Sequence, residues 1–202
     1  MKSVTLVIAV LVVIFVFFQS FTLMSAKRTE EQKYTVLHRN AEFEIRFYPS
    51  AVMATVKSDA RSYKELSGPG FRTLAGYIFG GNQQVARIPM TAPVHMDIND
   101  SLFSMSFVMP EAYNTSTLPA PNDSGIVIQN TADEVVAAIR FGGFASDKDI
   151  KSYTEKLQQI LTEKGIKTIG HYRYLGYNPP YQLVVRRNEI IVAEEWDTRK
   201  RG

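Results

Sequence analysis

Residues 42–56 read Glu42-Phe-Glu-Ile-Arg-Phe-Tyr-Pro-Ser-Ala-Val-Met-Ala-Thr-Val56. Polar and apolar side chains alternate from Glu42 to Phe47, the period of a half-buried strand. Pro49-Ser50 turns the chain, and residues 51–56 read as the returning strand. Downstream, Tyr63, Leu66, Phe71, Leu74, Ala75, Ile78 and Phe79 recur at about the 3.6-residue spacing of a helix. Gly68-Pro69-Gly70 is expected to break it in two, since proline lacks a donor and clashes with the preceding turn. Gly80-Gly81-Asn82 ends it. Two more strands follow at 94–98 and 102–109, joined by the turn Asn99-Asp100, and then a Pro/Asn/Ser-rich loop at 111–125.

The same order then recurs. Residues 126–130 and 134–140 form a strand pair around Thr131-Ala132-Asp133. Ser146 and Asp149 make a capping-box start for a helix whose apolar face carries Ile150, Tyr153, Leu157, Ile160 and Leu161. Strands at 171–175 and 189–194 complete the unit. Both halves therefore read β-β-α-β-β, offset by about 85 residues. The expected fold is α+β: duplicated halves forming a distorted antiparallel eight-stranded barrel or curved sheet, flanked by two helices.

The chain divides into an N-terminal segment (1–26), a charged linker (27–33), a domain (34–196) and a basic tail (197–202). Residues 4–24 are almost wholly apolar, and as a helix 21 residues reach about 31 Å, against a hydrocarbon core of about 30 Å. That predicts a single transmembrane signal-anchor with the domain outside the cytoplasm, periplasmic or luminal. A cleaved signal and secretion is the second choice, because no good cleavage site precedes Lys27.

The net charge of +3 is dispersed, without the basic stripe of a nucleic-acid binder. Cysteine is absent, which excludes disulfides, thiolate ligands and covalent heme attachment. His38, His95 and His171 lie in separate segments, so no histidine metal site is expected. No nucleophile–base pair stands at a recognisable spacing, and Glu189, Glu194 and Glu195 read as solvated strand positions. The chain therefore reads as non-enzymatic.

Glu42-Phe-Glu-Ile-Arg-Phe-Tyr48, Gly70-Phe-Arg-Thr-Leu-Ala-Gly-Tyr77, Met90-Thr-Ala-Pro-Val94, Phe141-Gly-Gly-Phe144 and Gly176-Tyr-Asn-Pro-Pro180 with Arg186-Arg-Asn-Glu189 resemble, in order and spacing, the SOUL heme-binding protein family. The resemblance implies a duplicated β-barrel and binding of heme or another tetrapyrrole. A heme site needs an apolar slot and cations for the propionates. Phe71, Leu74 and Ile78 beside Arg72 offer both, with Met90 as an adaptable neighbour. The resemblance aligns the family's proposed axial histidine with Phe47, which cannot ligate iron. Binding through an apolar pocket without an axial histidine is therefore expected, with His38, His95 or His171 as possible substitutes. Two other readings stay open: a general sensor of apolar small molecules of the multidrug-recognition type, and a membrane-tethered protein-interaction module.

Overall fold

The computed structural model describes residues 2–26, 29–99 and 102–195. In chain order the elements are α1 (Lys2–Ala26), β1 (Glu30–Glu31), β2 (Thr35–Arg39), β3 (Glu44–Tyr48), β4 (Val52–Ser58), α2 (Tyr63–Ile78), β5 (Thr91–Ala92), β6 (Val94–Asn99), β7 (Leu102–Val108), β8 (Ile126–Asn130), β9 (Glu134–Phe141), α3 (Asp147–Glu163), β10 (Thr168–Gly176) and β11 (Asn188–Glu194). Both β-β-α-β-β halves stand where the sequence puts them. The turn at Asn99-Asp100 and the basic tail extend outside the described residues.

Nine strands form one sheet in the order β2-β3-β9-β11-β10-β6-β7-β4-β8, every neighbour antiparallel. Exchanging β3, β4, β6 and β7 for β8, β9, β10 and β11 reverses the order of those eight strands, so a pseudo-two-fold axis passes between β10 and β6. Each half sends its first strand across: β3 pairs with β9, and β8 with β4. The sheet ends on β2 and β8 and is not closed, so of the two expected forms it is the curved sheet. β1 and β5 make a small parallel pair beside it.

Both helices pack on one face of the sheet. There Leu66, Leu74 and Ile78 of α2 and Leu157 and Leu161 of α3 join Ile45, Met105, Phe107 and Ile190 in one apolar core. Ser62 caps α2 by accepting from the Glu65 amide, and Ser146 and Asp149 form the full capping box of α3. The expected break at Pro69 does not occur, and α2 runs through it. The flanking glycines explain this: Gly70 lies so close to β7 that a Cβ there would sit 3.3 Å from Met105 and Leu66. Packing against the sheet outweighs the lost hydrogen bond, a local preference overridden by tertiary contact.

Within the charged stretch, Glu30 and Glu31 form β1 and the Gln32 amide donates to the Ala92 carbonyl at 2.8 Å. One expectation for the N-terminal part is overturned, the membrane anchor: among the described residues no helix is long and apolar enough to cross a membrane. Gln19 of α1 is buried, and its Oε1 accepts from the Leu183 amide at 3.3 Å, docking the helix on the domain. The anchor, the membrane as a partner and the extracytoplasmic placement derived from them fall together.

Candidate functional site

The pseudo-two-fold axis relates α2 to α3, but the two helices do not meet the sheet alike. Eight residues after its N-cap serine, α2 carries Gly70, pressed on Met105; eight after its own, α3 carries Thr154. A cleft of about 340 Å³ lies beneath α3, lined by Ile98, Ile150, Thr154, Tyr172, Tyr174 and Ile190 together with the strand from Gly170 to Arg173. Strand β10 helps to open it. Its register with β11 shifts between Ile169 and Arg173, and Gly170 sits at φ +72°, a conformation open to glycine at no steric cost.

Residues alternate along β10, so Arg173, opposite Ile191 and Asp97, turns to the other face of the sheet, where polar groups gather. There the His171 Nε2 lies 2.7 Å from the Asp97 carboxylate, which also accepts from the Ser104 hydroxyl at 3.1 Å, and Arg173 donates to Glu134 at 2.6 Å. On the cleft side, the Tyr174 hydroxyl donates to Asn188 at 2.7 Å, and Asn188 in turn donates to the Gly143 carbonyl. Burial pushes the Tyr174 phenol well above its ordinary range, so it stays a neutral donor. Tyr63 meets the Tyr174 ring edge-on at 5.2 Å, and Phe141 stacks on Tyr153 at 4.2 Å, giving the floor rigid aromatic walls.

The residues singled out from sequence lie elsewhere. Phe71, Arg72, Leu74 and Ile78 are on α2, in the first half. Leu74 and Ile78 are wholly buried, Phe71 is half-buried edge-on to Phe107 at 5.3 Å, and Arg72 is exposed. Met90 is half-buried against the core. Phe47 is half-buried on β3, between Thr35 of β2 and Val135 of β9. Phe71, Leu74, Ile78 and Met90 thus meet around the first helix, and none of the six lines the cleft. In the sequence Ile150 reads as part of the apolar face of a helix, and Tyr172, Tyr174 and Ile190 fall within two expected strands, where the alternation Tyr172-Arg-Tyr174 marks one face.

The opposite face of the sheet is covered, and joins a small apolar cluster of Tyr48, Val136, Ala138, Leu175 and Ile191 to a buried polar network. Glu189 accepts from Arg46 at 2.6 and 3.1 Å, from Arg187 at 2.9 Å and from the Tyr177 hydroxyl at 2.9 Å. The Arg46 guanidinium lies over the Tyr34 ring, and Arg187 also pairs with Glu31. His95 is buried there, its Nε2 2.8 Å from the Gln32 side-chain oxygen. Residues 29–34 thus lie across this face; among the described residues, the cleft beneath α3 is a candidate ligand site on the other.

Comparison with known proteins gives the family and the fold. A family model described as SOUL heme-binding protein matches residues 29–193. Heme-binding protein 2 of Mus musculus is 31% identical over 161 residues, 76% of this chain and 78% of that protein. Heme-binding protein 2 of Homo sapiens is 30% identical over 166 residues, 78% and 80% of the two chains. Among solved structures, the C-terminal domain of EcmrR superposes with a TM-score of 0.52 at 12% identity, over 81% of this chain and 99% of that one. A hydrolase from Listeria innocua gives 0.55 at 9%, over 79% and 94%. At such identities the likeness is one of fold alone. The match across nearly the whole domain, joined to the paired β-β-α-β-β halves, places this chain in the SOUL heme-binding protein family.

Proposed function

We propose that this protein is a non-enzymatic binder of heme or a related tetrapyrrole, and that the cleft beneath α3 receives the ligand. One observation carries the reading: an apolar and aromatic slot of about 340 Å³ between α3 and the sheet. Ligand pockets run from about 300 to 1,000 Å³, so the slot suits one edge of a flat macrocycle. Ile98, Ile150, Tyr172, Tyr174 and Ile190 would hold that edge by apolar contact. Phe71, Arg72 and Met90 keep surface from which to touch a ligand on the α2 side, and Phe47 keeps some on β3; Leu74 and Ile78 would act by supporting α2. A bound heme supplies the intense absorption that reports on its surroundings.

Titrating hemin into the full chain tests the proposal, with Thr154→Phe as the variant that fills the slot. The wild type is expected to shift the Soret band, and the variant to bind at least about tenfold more weakly, about 1.4 kcal/mol. No Soret change in the wild type would sink the reading. Equal affinities would move the site to α2, and turnover of ester or tetrapyrrole substrates would overturn the non-enzymatic part.

A further inference from the structure

We propose that the open edge of the sheet at β8 docks a second copy of this chain, through antiparallel pairing of β8 with β8 of that copy. The pseudo-two-fold axis equates β3 with β8, yet their outer sides differ. β3 is covered by β2, which pairs with it antiparallel from Thr35 to Arg39. Among the described residues no strand covers β8.

The sequence explains the vacancy. At the spacing that separates β2 from β3, residues 117–121 precede β8. They include Pro119 and Pro121, and a proline cannot donate to a strand ladder. The segment is engaged around the end of α2 instead. The Pro119 carbonyl accepts from the Tyr77 hydroxyl at 3.0 Å, the Ala120 carbonyl accepts from the Gln83 amide at 2.9 Å, and Pro121 bridges Asn82. The residues that would repeat β2 are thus spent elsewhere, and β8 keeps an open side.

That side is suited to pairing. All five residues of β8 stay in register with β4, from Val52↔Asn130 to Val56↔Ile126, so no bulge twists the edge away. Ile126-Val-Ile-Gln-Asn130 contains neither a charge nor a proline. The Thr131 amide bonds the Ala51 carbonyl, and backbone groups alternate along a strand, so Ile128 and Asn130 turn theirs outward. The other end of the sheet is guarded by contrast: the register of β2 shifts between Val36 and His38, and the exposed Arg39 pairs with Glu44.

A second copy fits the edge by symmetry and by charge. A two-fold interface sets one patch against itself, and two β8 strands so related run antiparallel, as every neighbour in this sheet already does. With no charge on the strand, self-pairing brings no like charges together. Five residues a side fall well short of the roughly 1,600 Å² of a standard interface, so the dimer is a weak, reversible one.

Sedimentation equilibrium of the full chain over a range of concentrations tests this, with Val127→Lys and Asn130→Pro as variants. The first puts a charge on the edge strand, and the second removes only an outward amide, so both should keep the circular dichroism of the wild type. The wild type is expected to show a monomer–dimer equilibrium, and each variant to weaken it at least about tenfold. Because the chain has no cysteine, Gln129→Cys can carry a single spin label. Paired strands lie about 4.8 Å apart, so the labels of a dimer should stand within about 30 Å of each other. A wild type that stays monomeric, a dimer that survives in a folded variant (as association through α1 would), or a longer label distance would each overturn the proposal.

Discussion

Glu189 shows how far one residue can depart from its sequence reading. Near a chain end and next to two arginines, it looks like a solvated strand position; in the fold it is fully buried. Burial pushes its carboxyl upward, but the hydrogen bonds and charge of Arg46, the charge of Arg187 and the Tyr177 hydroxyl outweigh that and hold it below the ordinary carboxylate range. Removing one partner of a buried pair typically costs about 3–5 kcal/mol, because the other charge stays behind in the interior. Glu189→Gln is therefore expected to lower urea stability by about that much, and the double variant Arg46→Met/Glu189→Met to recover part of it. Full stability in the single variant would mean that water reaches the cluster. His95 gives the matching expectation for pH. Burial first, then the charge of Arg173, lowers its pKa to about 3. The unfolded chain takes up this proton below about pH 6.5 and the folded one does not, so the unfolded state binds more protons in that window and stability falls on acidification. Between pH 6.5 and 5 the loss should approach about 1.4 kcal/mol per pH unit, and His95→Gln should flatten it in thermal scans; an unchanged slope would refute the assignment. Neither burial was legible in the sequence. Both depend on residues 29–34 crossing the sheet, and nothing in a run of charged residues announces that it will be laid over a strand face.

Elements were more legible than their surroundings. Period-2 alternation found β3 and β4, the 3.6-residue apolar period found α2, and the capping box at Ser146 and Asp149 found the start of α3, because those signals are local. Strand β2 went unread: His38 and Arg39 are polar, and its register with β3 shifts between Val36 and His38, so no clean alternation survives. Pro69 misled for the opposite reason, since a strong local signal gave way to packing that the sequence does not display. The cleft falls between these cases. Apolar residues on α2 and α3 look equally suited to line a pocket when read separately. Aligned from their N-cap serines, the helices differ at Gly70 against Thr154: Gly70 presses on Met105, and Thr154 lines the cleft. The α2 residues chosen from sequence are good apolar residues, yet Leu74 and Ile78 are consumed by the core that a flush helix creates. A duplicated pattern is thus best searched for its departures from symmetry, where one half has been released from packing.

At the scale of the molecule, the duplication does not make two domains. Strand β3 leaves its own half to pair with β9, and β8 leaves its own to pair with β4, so each half completes its sheet only with a strand from the other. Between the halves, β10 pairs with β6 in the middle of the sheet. A chain cut between Ser124 and Gly125, in an exposed part of the loop before β8, would give one fragment with β3 lacking its inner neighbour and another with β8 lacking any. Unpaired strands leave backbone donors and acceptors without partners and expose half of an apolar face. Each fragment alone is therefore expected to lack cooperative thermal unfolding and to exchange its amide protons freely. Mixed in equal amounts, the two should assemble into a one-to-one complex with the circular dichroism of the intact chain, since the pairing surfaces are the same whether or not the loop is continuous. Residues 125–195 folding cooperatively alone would show that β10 and β11 with β9 and α3 suffice, and that the crossed strands add stability without being required. The same experiment bears on the ligand site, because the cleft is lined from both halves, by Ile98 on β6 as well as by Ile150, Tyr174 and Ile190. Hemin binding should thus return only with the complex, following recovery of the sheet.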